Sequence, residues 1–118
     1  MKYALLIYGD DSRWIDLPDE EKAALRAEEI PRWVSFMDDL AKADPELTGY
    51  ELDDRHTAKV VRVRDGERLV TDGPFPETKE IIGGFFVVDL PDLDEAIRYA
   101  SQIPSADHGS IEIRPVVA

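Results

Sequence analysis

Apolar and polar positions along the chain divide it into strands and helices. From Lys2 to Tyr8 the residues are apolar on both faces of a strand, Tyr3, Leu5 and Ile7 pointing one way and Ala4, Leu6 and Tyr8 the other. Gly9-Asp10-Asp11-Ser12 ends that strand. A helix starts at Pro18-Asp19-Glu20-Glu21, where proline suits the first turn and the acids meet the positive end of the helix dipole. Pro31 lacks an amide hydrogen and predicts a kink or split near Glu29-Ile30. Beyond it Ile30, Trp33, Val34, Met37, Leu40 and Ala41 recur at offsets of three and four, an amphipathic helix closed by Asp44-Pro45. Leu47 to Leu52 is a weaker strand, diluted by Thr48 and Gly49. Ala58 to Arg64 and Glu67 to Thr71 flank Asp65-Gly66, a strong hairpin signal. Phe85 to Leu90 is a further strand, apolar on both faces. Asp92, with Glu95 three residues on, caps a second helix with the stripe Leu93, Ala96, Ile97, Ala100 and Ile103, and Pro104 stops it. The last strand, Ser110 to Val117, sets Ile111 and Ile113 on one face and Glu112 and Arg114 on the other.

The order β-α-β-β(β)-α-β predicts an α+β sandwich of ferredoxin-like type with an added β-hairpin. Two helices cover one face of such a sheet and leave the other bare. Two of its strands are nevertheless apolar on both sides, and the chain has nothing left to cover the second face. The expectation is a two-fold homodimer, sheet face against sheet face.

Composition narrows the possibilities. The 118 residues make one domain, residues 1–118. A net charge of −12 argues against nucleic-acid or anionic-membrane partners, which need a basic footprint. The absence of cysteine excludes disulfides, thiolate metal sites and cysteine nucleophiles. No stretch reaches membrane-spanning length, and the opening residues lack a signal-peptide cleavage site, so a cytoplasmic protein is expected.

Candidate chemistry centres on Asp72-Gly73-Pro74-Phe75 and the ionisable run Pro76 to Glu80, set between two apolar strands. Asp72 at a strand end can serve as a general base, its proton affinity tuned by burial and by Lys79, or can cap the Gly-Pro turn through its own side chain. Lys79 can hold an anionic group or form an exposed ion pair with Glu77. Tyr8 and Asp10 end the first strand, where Tyr8 can bond a ligand or fill a dimer interface. Arg114 can clamp a carboxylate in bidentate fashion or simply pair with the neighbours of Glu112. Trp14 can line a pocket, whereas Trp33 falls on the helix's core stripe. His56 and His108 sit in polar loops without a second ligand at metal spacing, so no metal site is expected from them. Asp10, Asp72 and Glu77 offer oxygen ligands, but their spacing matches no cation loop. Gly83-Gly84 precedes a strand rather than a helix and is no phosphate loop. No cofactor is implied.

Leu69 to Glu80 followed by Gly83-Gly84-Phe85 resembles the YCII-related family in its DGPF-motif branch. The likeness extends to Met1 to Asp10, the Val61 to Gly66 hairpin, Asp92-Leu93-Asp94-Glu95-Ala96 and Gly109 to Val116. The resemblance implies a ferredoxin-like fold that dimerises into an α+β barrel. It also implies kinship with dehydrochlorinase-like enzymes that use a His-Asp pair, the histidine lying on the first helix. Here no histidine lies between Trp14 and Glu46, and Ile30-Pro31-Arg32 occupies that place. Members of the branch linked to alternative sigma factors supply the rival expectation, a regulatory module acting with the transcription machinery. The reading that follows is a homodimer binding a small anionic or aromatic metabolite, with cofactor-free acid–base chemistry of isomerase or lyase type. In it Asp72 is the base, and Tyr8, Asp10, Trp14, Phe75, Glu77, Lys79 and Arg114 surround the substrate.

Overall fold

The computed structural model describes residues 1–74 and 80–117. Six strands and two helices run in the order β1 (Lys2–Gly9), α1 (Asp19–Ala43), β2 (Thr48–Glu51), β3 (Lys59–Arg64), β4 (Glu67–Asp72), β5 (Ile81–Asp89), α2 (Leu93–Gln102) and β6 (Ser110–Pro115). Four strands form one antiparallel sheet in the order β2-β5-β1-β6. That is the ferredoxin-like arrangement, with β3 and β4 inserted between β2 and β5 as a separate two-stranded sheet.

Both helices pack on one face. Tyr3, Leu5 and Ile7 of β1 and Phe86 and Val88 of β5 join Phe36 and Leu40 of α1 and Ala96, Tyr99 and Ile103 of α2 in the core. Trp33, Phe36 and Phe86 pack edge to face or tilted, with ring centroids 5.6 to 6.5 Å apart. Two glycines permit close approaches that a side chain would prevent. A Cβ on Gly49 would drive into the Phe86 ring, and one on Gly109 into the Tyr8 carbonyl. Gly109 thereby lets β6 start opposite Tyr8, where Ser110 is its register partner.

The helix stripes differ from those read off the sequence. α1 runs as one helix through Pro31, where a kink or a split was expected, so the split does not occur. Its buried residues are Phe36 and Leu40, with Trp33 and Met37 half-buried, while Ile30 and Val34 face solvent. Val34 is turned about 100° round the helix from Trp33 and so points off the sheet, while for Ile30 the reason is length. Twenty-five residues extend about 38 Å, against about 27 Å for the eight of β1, so the helix overhangs the sheet and residues 23–32 are exposed. In α2, Ala96, Ala100 and Ile103 are buried as expected, but Tyr99 replaces Leu93 and Ile97, which are exposed. The Asp92 carboxylate accepts the Glu95 N–H at 2.9 Å, the expected cap. β5 begins four residues earlier than the apolar run suggested, taking in Gly83 and Gly84. Asp65 and Gly66 at the hairpin tip both adopt positive φ (53° and 76°), as a type I′ turn requires.

Candidate functional site

The second face of the sheet carries Ala4, Leu6 and Tyr8 from β1, Phe85 and Val87 from β5, Tyr50 from β2, and Glu112 and Arg114 from β6. Register places them in rows. Tyr50, Phe85, Leu6 and Glu112 lie side by side, and Thr48, Val87, Ala4 and Arg114 form the next row. The Tyr50 and Phe85 rings lie 6.1 Å apart. Strand alternation alone dictates this set, since each residue is offset by one from a core residue. The face is an apolar floor with a polar corner.

That corner holds the most developed chemistry among the described residues. Tyr8 Oη donates to Glu112 Oε1 at 3.3 Å, diagonally across the β1–β6 pair. Burial, and then the negative charge and hydrogen bond of Glu112, push the Tyr8 phenol above its ordinary value, while Arg114 pulls it down. Arg114 is therefore close enough for its charge to be felt at Tyr8. At the start of β6, opposite Tyr8, Ser110 Oγ donates to Glu80 Oε1 at 3.1 Å, tying β6 to the residue before β5. Tyr8 and Arg114, both singled out in the sequence, share this face, in the rows on either side of Glu112. Glu112 was not among the expected site residues, although its alternation with Arg114 was the signal that could have found it.

Asp10, Trp14 and Asp72, the other expected site residues that are described, lie elsewhere. Asp10 caps the short turn Asp11–Arg13, its carboxylate accepting the Ser12 N–H at 2.9 Å. Asp11 lies 3.4 Å from the guanidinium of Arg55. Trp14 sits under Lys22 and Arg26 of α1, whose charges lie 5.5 and 5.9 Å from its rings, so cations cover it. Asp72 ends β4 opposite Lys59 and forms an ion pair with it, its side chain 84% exposed. The Lys59 ammonium, by hydrogen bond and charge, holds the Asp72 carboxyl below the usual carboxylate range. Phe75, Glu77 and Lys79 lie outside the described residues.

Depressions among the described residues include one at the hairpin and one beside the helices. One of about 280 Å³ lies at the root of the hairpin, between Leu52, Arg55, Ala58, Pro74 and Ile82. Pro74, from the motif that organised the sequence, forms part of its wall, whereas Asp72 does not. Gly73 closes the hairpin's base by donating its N–H to the Ala58 carbonyl at 2.9 Å. The other depression, about 440 Å³, lies outside the helical layer beside Pro31, Phe36 and Gln102. Among the described residues, no three His, Asp or Glu side chains gather as metal ligands do. No helix of the described residues is long and apolar enough to cross a membrane.

Comparison with known proteins matches residues 1–118 to the YCII-related domain. The chain is 34% identical over 123 residues to an uncharacterised protein of Rhizobium meliloti (strain 1021), covering 98% of this chain and 92% of that protein. It belongs to the YCII-related family.

Proposed function

We propose that this YCII-related chain works as a homodimer that holds a small anionic or aromatic metabolite between its two sheet faces. One observation carries the reading. The face that the helices leave bare joins an apolar floor of Ala4, Leu6, Phe85 and Val87 to a corner of Tyr8, Glu112 and Arg114. An apolar sheet face of this kind needs a second layer. Once water is excluded by that layer, the guanidinium fork of Arg114 suits a carboxylate, and Phe85 and Leu6 suit a ring.

Acid–base turnover belongs to the same proposal and is the less developed half of it. A general-base role for Asp72 requires its carboxylate to leave Lys59 and turn away from solvent. The ion pair suits Asp72 better to locking the open end of the hairpin. Asp72→Asn separates the two roles. Loss of turnover with ligand binding intact would make Asp72 the base, and unchanged turnover would leave it a lock.

Sedimentation equilibrium and thermal shift against a panel of small carboxylates and phenols test the main claim. The expected result is a dimer that at least one carboxylate stabilises, with the shift abolished in Arg114→Met and the dimer abolished in Phe85→Asp. A wild-type monomer at micromolar concentration overturns the reading. A dimer that no carboxylate or phenol stabilises points instead to the non-catalytic, transcription-linked alternative.

A further inference from the structure

The β3–β4 hairpin carries an unpartnered apolar face. Directly opposed residues share a face, so Val61 with Val70, Val63 with Arg68, and Lys59 with Asp72 all point the same way. Val61, Val63 and Val70 are 60, 61 and 55% exposed. A two-stranded ribbon in water is at best marginally stable alone. The Asp65-Gly66 turn and the Lys59–Asp72 pair mark its two ends, and between them Val61, Val63 and Val70 face solvent beside Arg68. The radius of gyration, 16.3 Å, exceeds the roughly 13.5 Å expected for a compact chain of this length, as a projecting element requires.

Two observations say what covers it. First, the hairpin springs from the edge of the open sheet face. Leu52 and Ile82, exposed at that edge, line the depression at its root together with Ala58 and Pro74, so the apolar surface runs on from sheet to hairpin. A body seated on the face therefore reaches the hairpin. Second, the segment from Lys59 to Asp72 carries Lys59, Arg62, Arg64 and Arg68 against Asp65, Glu67 and Asp72, a net +1 on a chain of net −12. A positive arm on a negative body complements a second copy of that body.

We infer that the hairpin is a clasp. In the dimer it packs the Val61, Val63 and Val70 face against the second copy of this chain, and two-fold symmetry makes the embrace mutual. The inference rests on the sheet-face dimer proposed above and adds to it the element that extends the contact.

The absence of native cysteine makes the test clean. Sedimentation equilibrium is run on the wild type and on the double variant V61S/V70S, with circular dichroism to check the fold. In parallel, the single variant Val63→Cys is titrated with a thiol reagent over a range of protein concentrations. The clasp predicts a dissociation constant at least tenfold weaker in V61S/V70S, and an introduced thiol whose reactivity falls as the dimer forms. A wild-type dimer that V61S/V70S leaves equally tight overturns the clasp while the sheet-face dimer stands. So does a thiol whose reactivity is indifferent to concentration, which also decides the matter if the double variant fails to fold. A monomeric wild type removes the dimer itself, and the clasp with it.

Discussion

The sequence makes Asp72 the candidate base and Tyr8 a residue beside the substrate or in an interface, and their surroundings separate them further. Tyr8 lies among strands, and burial together with Glu112 favours its neutral phenol. The contribution of this raised value to stability is present at neutral pH and below the ordinary phenol value of about 10, and is lost as pH climbs through the raised folded value. Absorbance titration should therefore show a late-ionising phenol component that is missing in Tyr8→Phe and moved back down in Glu112→Gln. A Glu112→Gln curve identical to wild type would detach the carboxylate from the phenol. Asp72 shows the opposite sign. Lys59 lowers its carboxyl, so its contribution is present above the ordinary carboxylate value of about 3.9 and is lost as pH falls through the folded value. Its exposure lets water screen the pair. Lys59→Met should return the Asp72 carbon resonance to an ordinary titration midpoint while leaving the melting temperature at pH 7 unchanged.

At the scale of elements, the sequence was read well where local chemistry decides and poorly where packing does. The Asp65-Gly66 turn, the Asp92 cap and the alternation of Ile111 and Ile113 with Glu112 and Arg114 are local, and all three stand as read. The buried stripes of the helices are not local, because they depend on where a helix crosses its sheet. In α1 the period of three and four admits two neighbouring stripes, one through Ile30 and Val34 and one through Trp33, Phe36 and Leu40. The first lies in water for two reasons: Ile30 is in the overhang beyond β1, and Val34 is turned about 100° round the helix from Trp33. The site was legible only in the same sense. Tyr8 and Arg114 share a face by strand alternation, but Asp72 moved away because β4 belongs to the hairpin and not to the main sheet. A substitution pair on α1 tests the corrected stripe. Leu40→Ala, at a fully buried position, should cost about 2–5 kcal/mol. Ile30→Ala, on the exposed stripe, should stay within about 0.5 kcal/mol. Chemical denaturation of dilute protein measures both, and equal losses would return Ile30 to the core.

For the whole molecule, the helices cover one face of the sheet, and among the described residues the other face has no second layer. The burial pattern records this asymmetry. Tyr3, Leu5 and Ile7 are buried, while Ala4, Leu6 and Tyr8, one residue out of phase on the same strand, are half-buried. A chain carrying −12 gains solubility from its charge, but each copy also repels the next. Association under the dimer reading must therefore come from apolar area on the sheet face and the hairpin. If folding and pairing are one event, the melting temperature depends on protein concentration, since unfolding releases two chains from one particle. Each tenfold rise in concentration then adds about 1.4 kcal/mol per dimer. Spread over the unfolding entropy of two such chains, that raises the melting temperature by about 3 °C. Calorimetry at two concentrations a decade apart, about 5 and about 50 μM, where a moderate dimer is populated, should show that rise in the wild type and none in Phe85→Asp. A wild-type melting temperature flat across that range would mean that the bare face is stable in water.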